Sequence, residues 1–288
     1  MRERIISGVV IAAMIVGFGL AGGYPLWVLI MVCSMIGYQE LLRAAGVLAK
    51  EEKYNAVSAV GLVMSAVLYA GFMFLQARSG SDPGRLAMIS DFWAITVVVL
   101  AFLLMMTVYV LTFPKFRSEQ VMAGFFSFVY APLLMSYIAR ARALPYGIFM
   151  YALIFICSSV CDTCALAAGM MFGKHKMAPV LSPKKTIEGA VGGVAGSALC
   201  SFILGIAAQY ADPGADFRIR FLIIGICGAL VSMIGDLAAS AIKRNHEIKD
   251  YGKLIPGHGG IMDRFDSIIF TAPLIYILGV LLLGTVTL

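Results

Sequence analysis

A polar block interrupts an otherwise apolar chain at residues 243–267, which read KRNHEIKDYGKLIPGHGGIMDRFDS. It combines five Lys and Arg side chains with the carboxylates of Asp250, Asp263 and Asp266 around a Pro-Gly-His-Gly-Gly turn. Cationic side chains bind phosphate oxygens, and Mg²⁺ prefers oxygen ligands such as carboxylates. Because apolar runs flank the block on both sides, we expect it to lie at a membrane surface and to bind a polyphosphate with its metal ions.

Two more carboxylates, Asp162 and Asp236, fall inside apolar segments that are long enough to cross a membrane. A charged side chain costs about 2.5–3.5 kcal/mol there even on the most lenient insertion scale, so each one needs an explanation. Asp236 shares a polar helix face with Ser240 and Lys243, and Asp162 lies in a similar setting. Each carboxylate could bind a metal ion or substrate, or could instead form a structural ion pair with a basic residue.

Asp263 and Asp266 are three residues apart, which places both carboxylates on one face at the start of the last predicted helix. Carboxylates at a helix N-terminus can be simple capping residues. Their position after His-Gly-Gly, opposite Asp236, favours a metal site instead. Mg²⁺ typically takes one or two protein carboxylates and completes its coordination with phosphates and water.

A second basic segment covers residues 169–186 and ends in Ser182, Lys184, Lys185 and Thr186, directly before an apolar helix. The free N–H groups and the dipole of a helix N-terminus favour anions, which indicates a phosphate site. Simple helix initiation and positive-inside anchoring explain the same residues without a ligand. The helix that follows carries two glycine pairs at GxxxG spacing, which predict close helix packing.

The elements that position these residues are predicted to be membrane helices, because 61% of the 288 residues are hydrophobic and only 13% are charged. A membrane-crossing helix needs about 20 apolar residues, with about 17 sufficient. Nine segments meet this requirement: 5–22, 25–42, 56–76, 92–113, 121–139, 146–168, 187–209, 219–242 and 266–288. The sequence therefore predicts an all-α, polytopic integral membrane helix bundle. It forms a single domain over 1–288, with residues 1–145 as scaffold and residues 146–288 carrying the site.

The distribution of basic residues predicts the orientation of this bundle. With the N-terminus in the cytoplasm, the inner loops receive 16 of the 22 Lys and Arg residues and the outer loops receive six. The positive-inside rule therefore predicts N-inside and C-outside, with the site facing the cytoplasm and a bacterial inner membrane as the expected location. Topology and anionic substrates explain the net charge of +6, so we expect no nucleic-acid partner.

Other common sites are not indicated by the sequence. Cys161 and Cys164 form a CxxC, but no second pair or nearby His completes a zinc site, so small buried thiols are the better interpretation. The chain has no GxxxxGK[ST] phosphate loop, no HExxH and no nucleophile elbow.

The polar block closely resembles the signature of phosphatidate cytidylyltransferases (CDP-diacylglycerol synthases). The resemblance is carried by Ser240-Ala-Ile-Lys243-Arg244, Lys249-Asp250 and Pro256-Gly-His258-Gly-Gly-Ile-Met-Asp263-Arg264-Phe-Asp266. Four upstream motifs are similar to that family's other motifs in the same order: Asp162-Thr163, Phe172-Gly173-Lys174, Ser182-Pro183-Lys184-Lys185-Thr186-Ile-Glu188-Gly189 and Gly235-Asp236-Leu237. The resemblance is strong over 160–270 and covers the first half only as hydrophobic spans.

This resemblance implies condensation of CTP with phosphatidate to give CDP-diacylglycerol and pyrophosphate, by a bundle of transmembrane helices that is often dimeric. It implies Mg²⁺ as cofactor and leaves open a second cation, divalent or K⁺. The implied metal ligands are Asp236, Asp263, Asp266 and Asp162. The implied catalytic residues are Asp236, Asp263, Lys243 and Arg244. The implied substrate-binding residues are Ser182, Lys184, Lys185, Thr186, Ser240, Lys249, Asp250, His258, Gly259, Gly260 and Arg264.

Two positions depart from the family pattern: Leu166 stands where Tyr is frequent, and Ala239 stands where Glu is common. The rival interpretation from another class is a transporter of anionic solutes, because intramembrane acids and serines also line transport paths. A transporter would require polar residues through the full depth of the membrane, whereas here they cluster at the inner end of the second half. The nearest alternative is another lipid-nucleotide or lipid-phosphate transferase, which the polar block disfavours.

Overall fold

A computed structural model of the protein describes residues 2–49, 51–78, 83–214, 216–255, 257 and 259–283, and these are helical along most of their length. The helices are α1 (Arg2–Ala21), α2 (Gly23–Ala44), α3 (Ala56–Arg78), α4 (Pro83–Leu111), α5 (Ser118–Phe128), α6 (Leu134–Ala143), α7 (Gly147–Phe155), α8 (Cys161–Phe172), α9 (Ile187–Ala211), α10 (Phe217–Asn245), α11 (Met262–Phe265) and α12 (Ile268–Leu283). Two π-helical stretches, Val129–Leu133 and Ile156–Val160, join α5 to α6 and α7 to α8. A short antiparallel hairpin of β1 (Lys176–Ala178) and β2 (Ser182–Thr186) precedes α9.

Within the described ranges, seven helical segments are long and apolar enough to cross a membrane. They are Gly23–Ala44, Ala56–Arg78, Gly84–Leu111, Ser118–Ala143, Gly147–Phe172, Ile187–Ala211 and Phe217–Asn245. Two shorter apolar helices, Gly8–Ala21 and Ile268–Leu283, lie within the first and last predicted spans. The polytopic helical class is therefore confirmed, whereas the number of nine crossings and their orientation stay predictions.

One helix boundary differs markedly from the prediction, because α4 begins at Pro83 rather than at residue 92. Proline is well tolerated in the first turn of a helix, where its missing N–H would have no partner. The polar residue Ser90 is accommodated inside the helix because its hydroxyl donates to the Ala87 carbonyl oxygen at 2.8 Å. The polar residues between Pro83 and position 92 therefore belong to α4 and not to a loop.

The chain divides into two compact units. The first contains the described residues of Met1–Ala139 and His246–Arg264, and the second those of Arg140–Asn245 and Phe265–Thr285. The predicted site residues are distributed over both units, so each unit is described by itself. The prediction of a single domain is not tested by this division and stays a prediction.

Aromatic side chains pack α2, α3 and the first π-helical stretch together in the first unit. Tyr38 is fully buried and lies against Gly61, where an added Cβ would collide with the tyrosine ring. Tyr69 is also fully buried, and its hydroxyl donates to the carbonyl oxygen of Pro132 at 3.0 Å. Since proline has no N–H to donate within a helix, the π-helical geometry around Pro132 is consistent with its position. The first contact holds α2 against α3, and the second holds the π-helical stretch against α3.

Close contacts through glycine define the packing of α8 against α9 in the second unit. An added Cβ on Gly189 or Gly193 would lie 2.8 or 2.9 Å from a backbone oxygen of α8. Gly192 and Gly196 face α8 side chains at similarly short range. Both GxxxG pairs therefore serve close helix packing, and that prediction is confirmed.

Candidate functional site

A cavity of about 490 Å³ lies in the second unit and is lined by residues of α8, the β1–β2 hairpin, α9 and α10. Six of the predicted site residues line it: Asp162, Ser182, Lys184, Lys185, Thr186 and Asp236. Much of the remaining wall is apolar and includes Leu166, Met170 and Met233. The cavity therefore combines a few charged groups with an apolar wall, which suits an amphiphilic ligand.

The basic residues of this cavity lie on the β1–β2 hairpin, whose strands were not predicted from the sequence of the basic segment 169–186. Lys176 pairs with Thr186 and Ala178 pairs with Ser182 across the two strands. The last strand residue, Thr186, also caps α9, because its Oγ1 accepts a hydrogen bond from Gly189 N at 3.1 Å. Helix initiation at Thr186 is thus confirmed, and the anion site at the same helix start stays a prediction.

Glu188 ties the start of α9 to the chain that enters the hairpin. Its carboxylate accepts hydrogen bonds from the backbone N–H groups of Lys174 and His175 at 3.1 and 3.2 Å. The imidazole of His175 lies 2.6 Å from the same carboxylate. Because these bonds hold both ends of the hairpin segment, the strand that carries Lys184 and Lys185 is fixed at the cavity wall.

Lys185 on β2 forms an ion pair with Asp236 on α10. Their side chains keep 25% and 26% of their surface exposed, so the pair lies at the cavity wall rather than in the core. The structural ion pair that the sequence left open for Asp236 is therefore formed, with Lys185 as the basic partner. An ion pair that retains access to solvent is weak, so its members can exchange partners when a charged ligand enters.

Asp266 approaches α10 because that helix has a glycine at the contact. An added Cβ on Gly235 would lie 2.9 Å from the Asp266 carbonyl oxygen and 3.0 Å from Phe270 Cβ. The pKa of Asp266, which precedes α12, is raised to about 6, first by burial and then by the negative charge of Asp236. Asp162 contributes in the same direction and Lys243 in the opposite one. Three carboxylates thus repel one another, and a bound cation would relieve that repulsion.

The donor set of this region fits Mg²⁺, because carboxylate oxygens are its usual protein ligands. In the part of the chain that the structure describes, no three His, Cys, Asp or Glu side chains converge closely enough to enclose an ion by themselves. An ion held by these carboxylates would therefore complete its coordination with phosphate oxygens and water, as Mg²⁺ commonly does.

Asp263 and Asp266 do not share one helix, so the prediction of a common helix face is wrong. The short helix α11 ends at Phe265, and α12 begins only at Ile268. Between them the Asp266 Oδ1 accepts a hydrogen bond from Ser267 N at 2.8 Å. An Asp side chain that binds a neighbouring backbone N–H competes with helix hydrogen bonding, which explains the interruption.

Asp263 organises the turn of the polar block in the first unit. Only 8% of the residue is exposed, and its Oδ2 accepts hydrogen bonds from Tyr251 N at 2.8 Å and Gly260 N at 3.0 Å. Gly259 has a φ of +85°, and an added Cβ there would lie 2.7 Å from the same oxygen. Glycine is therefore required at position 259 for the chain to approach Asp263.

A second carboxylate of the first unit binds the same turn and was not predicted. Glu40 on α2 is 5% exposed, and its two oxygens accept hydrogen bonds from Ile261 N at 3.1 Å and Met262 N at 2.9 Å. The signal that could have revealed it was an ionisable residue inside the predicted span 25–42.

The remaining predicted residues lie at the end of α10, in the polar block or outside the described ranges. Ser240, Lys243 and Arg244 belong to the last turns of α10. Lys249, Asp250 and Arg264 are exposed, whereas His258 lies outside the described residues. Of the two departures from the family pattern, Leu166 lines the cavity and Ala239 is fully buried. The functional roles assigned to all these residues stay predictions.

Comparison with known proteins supports one family over the whole chain. The model of the cytidylyltransferase family matches residues 2–282. A phosphatidate cytidylyltransferase of Bacillus subtilis (strain 168) is 32% identical over 283 residues, which cover 96% of this chain and 97% of the relative. One of Staphylococcus aureus (strain COL) is 30% identical over 284 residues, which cover 96% and 98% of the two chains. The protein is therefore an enzyme that belongs to the cytidylyltransferase family.

Proposed function

We propose that this protein condenses CTP with phosphatidate to give CDP-diacylglycerol and pyrophosphate, in phospholipid biosynthesis. The observation that carries the proposal is the similarity over nearly the full length to relatives named phosphatidate cytidylyltransferase, at 32% and 30% identity. The family assignment also favours an enzyme over the rival interpretation of an anion transporter.

The cavity of the second unit supports a lipid phosphate as one of the two substrates. Its charged wall carries Lys184 and Lys185, while Leu166, Met170 and Met233 supply an apolar surface. A lipid with an anionic headgroup requires both kinds of surface in one cavity. Since α8, α9 and α10 belong to segments long and apolar enough to cross a membrane, such a lipid would reach the cavity without leaving the bilayer.

In the proposed reaction, an oxygen of the lipid phosphate attacks the α-phosphorus of CTP. A new bond forms between that oxygen and the α-phosphorus, and the bond from the α-phosphorus to the oxygen bridging to the β-phosphorus breaks. The bridging oxygen leaves with the electron pair as part of pyrophosphate. Because the attacking oxygen is already anionic, the reaction needs no general base. The protein's main tasks are to align two anions and to neutralise their charge.

The residues of the cavity suit these tasks. Lys184 and Lys185 would bind phosphate oxygens, with Lys185 leaving Asp236 as the anionic substrate enters. One or two of the carboxylates of Asp162, Asp236 and Asp266 would hold Mg²⁺ together with phosphate oxygens and water, and Asp263 is a further candidate ligand on the strength of the signature motif. When bound there, Mg²⁺ would reduce the repulsion between the reactants and stabilise the leaving pyrophosphate. A second cation and a homodimer remain expectations from the resemblance.

We place the protein in a bacterial inner membrane with the site facing the cytoplasm. The apolar helices and the bacterial relatives support the first part, and the asymmetry of Lys and Arg between alternate loops supports the second.

The decisive experiment follows two positions of the CTP label. Purified protein with Mg²⁺, phosphatidate and CTP labelled at the α-phosphorus is expected to yield a labelled lipid, whereas a γ-phosphorus label is expected in pyrophosphate. ATP, GTP and UTP serve as comparison nucleotides. If a folded sample transfers no α-label to lipid from any nucleotide, the proposal is wrong. Transfer of the γ-label to lipid would indicate a lipid kinase instead.

A further inference from the structure

Glu40 carries a buried carboxylate to which the proposed reaction assigns no role. It lies near the C-terminal end of α2 and has 5% of its surface exposed. A carboxylate in such a position is costly unless hydrogen bonds satisfy it. Both of its oxygens are satisfied by backbone N–H groups of the signature turn, those of Ile261 and Met262.

The signature turn is built to receive this carboxylate. The N–H groups of three consecutive residues all point at acids, Gly260 N at Asp263 and the next two at Glu40. An added Cβ on Gly252 or on Gly260 would collide with the Glu40 carboxylate. The two glycines therefore leave space for Glu40 at both ends of the loop that Asp263 closes.

A second contact fixes the same turn to the same helix. Met262 is fully buried, and its Sδ would lie 2.8 Å from a Cβ added to Gly37, one turn before Glu40 on α2. The turn is thus joined to α2 by an apolar contact and by two charge-assisted hydrogen bonds.

We propose that Glu40 is a positioning residue for cytidylyl transfer, which holds the turn that presents Asp263. This inference rests on the proposed function and adds a residue from the first half of the chain to its machinery. Glu40 acts through the backbone of Ile261 and Met262 and is not itself assigned to the substrate or to a cation. Groups that orient metal ligands in this indirect way typically change metal affinity or activity by about 10–100-fold when they are replaced.

Glu40→Gln is the most informative variant. The amide keeps the size of the side chain but offers one acceptor oxygen, so its NH₂ group faces one of the two backbone N–H donors. We expect the Mg²⁺ concentration for half-maximal activity to rise, or kcat to fall, by about 10–100-fold. KM for phosphatidate is expected to stay within about twofold, because the proposed phosphate-binding residues Lys184 and Lys185 are unchanged.

Two further variants serve as controls. Glu52→Gln removes the same charge from an exposed position, and wild-type kinetics are expected for it. Glu40→Asp keeps the charge with a side chain one methylene shorter, so partial recovery relative to Glu40→Gln is expected. Loss of activity with an unchanged Mg²⁺ requirement and an equal effect on KM for both substrates would indicate general damage and overturn the inference.

Hydrogen exchange provides a readout that does not depend on activity. Without Mg²⁺ or substrate, the amides of Ile261 and Met262 are expected to exchange slowly in the wild-type protein and in Glu52→Gln, and faster in Glu40→Gln. Fast exchange of both amides in the wild-type protein would overturn the inference even if no Glu40 variant folds. If wild-type protein forms no CDP-diacylglycerol, the proposed function fails, and the role in transfer falls with it.

Discussion

Carboxylates of the same chemical type do different work in the two units. In the second unit, Asp162 and Asp236 line a cavity, and Asp236 is paired with a lysine side chain. In the first unit, Glu40 and Asp263 accept hydrogen bonds from backbone N–H groups at both ends of one loop, those of Tyr251 at its start and of Gly260, Ile261 and Met262 at its end. The first arrangement can exchange partners with a ligand, whereas the second determines the path of the backbone.

This difference means that losing a carboxylate costs a different amount of folding free energy in each unit, even where both losses reduce activity. A partly exposed ion pair contributes about 0–1 kcal/mol, since water and salt screen it. Removing the acceptor of a buried N–H group costs about 1–3 kcal/mol, because the donor is left without a partner. Substitutions of these carboxylates in either unit are therefore expected to reduce catalysis, and those in the first unit are expected to lower the free energy of unfolding more.

The largest expected effect comes from comparing Asp263→Ala with Asp236→Ala. Loss of either proposed ligand is expected to reduce formation of CDP-diacylglycerol by about 10³-fold, a barrier increase of about 4 kcal/mol. Asp263→Ala also leaves Tyr251 N and Gly260 N without their acceptor, so we expect it to lose about 2–6 kcal/mol of stability. Asp236→Ala is expected to lose about 1 kcal/mol or less. Unfolding in detergent, followed by denaturant titration, measures the difference.

Asp263→Asn refines this comparison, because the amide retains an oxygen that can accept the two N–H groups. It is expected to remain extractable and folded while turnover is abolished. Full activity in this variant would remove Asp263 from the proposed metal site. Equal loss of stability in Asp263→Ala and Asp236→Ala would contradict the distinction between the two units.

A smaller effect is expected within the hairpin, where two adjacent lysines line the cavity but only Lys185 is seen in an ion pair with Asp236. Lys185→Met is expected to reduce kcat/KM by about 10²-fold, since it removes both a phosphate ligand and the partner of Asp236. Lys184→Met is expected to cost about tenfold. The free energy of unfolding of both variants is expected to lie within about 1 kcal/mol of the wild-type value. Equal kinetic effects would contradict the assignment of a distinct role to the ion pair.

Much of the fold and part of the site could be predicted from the sequence, for local reasons. The apolar spans follow from composition, and the glycine pairs of α9 follow from spacing. Helix initiation at Thr186 follows from residue type. The motif residues Lys185 and Asp236 line one cavity, although their ion pair depends on a hairpin that the residue pattern did not indicate, and their functional roles stay predictions.

The contacts that could not be predicted depend on distant or competing interactions. Glu40 accepts a hydrogen bond from Ile261, 221 residues further along the chain, and no local pattern encodes such a pairing. The i, i+3 spacing of Asp263 and Asp266 suggested one helix face, but α11 ends at Phe265. In both cases a backbone N–H group donates to a side-chain carboxylate, a contact that helical periodicity does not encode.

The smallest expected effect concerns Thr186, whose hydroxyl could cap α9 or bind an anion. Its Oγ1 accepts the Gly189 N–H, so Thr186→Val is expected to cost about 1 kcal/mol of stability, as the loss of an N-cap does. Activity is expected to fall by less than about threefold, and Thr186→Ser should restore both properties because it keeps the hydroxyl. Unfolding and the labelled-CTP assay measure the two effects. A tenfold loss of activity without loss of stability would indicate that the Thr186 hydroxyl contacts the substrate. Uncharged as well as charged side chains of the cavity would then contribute to substrate binding.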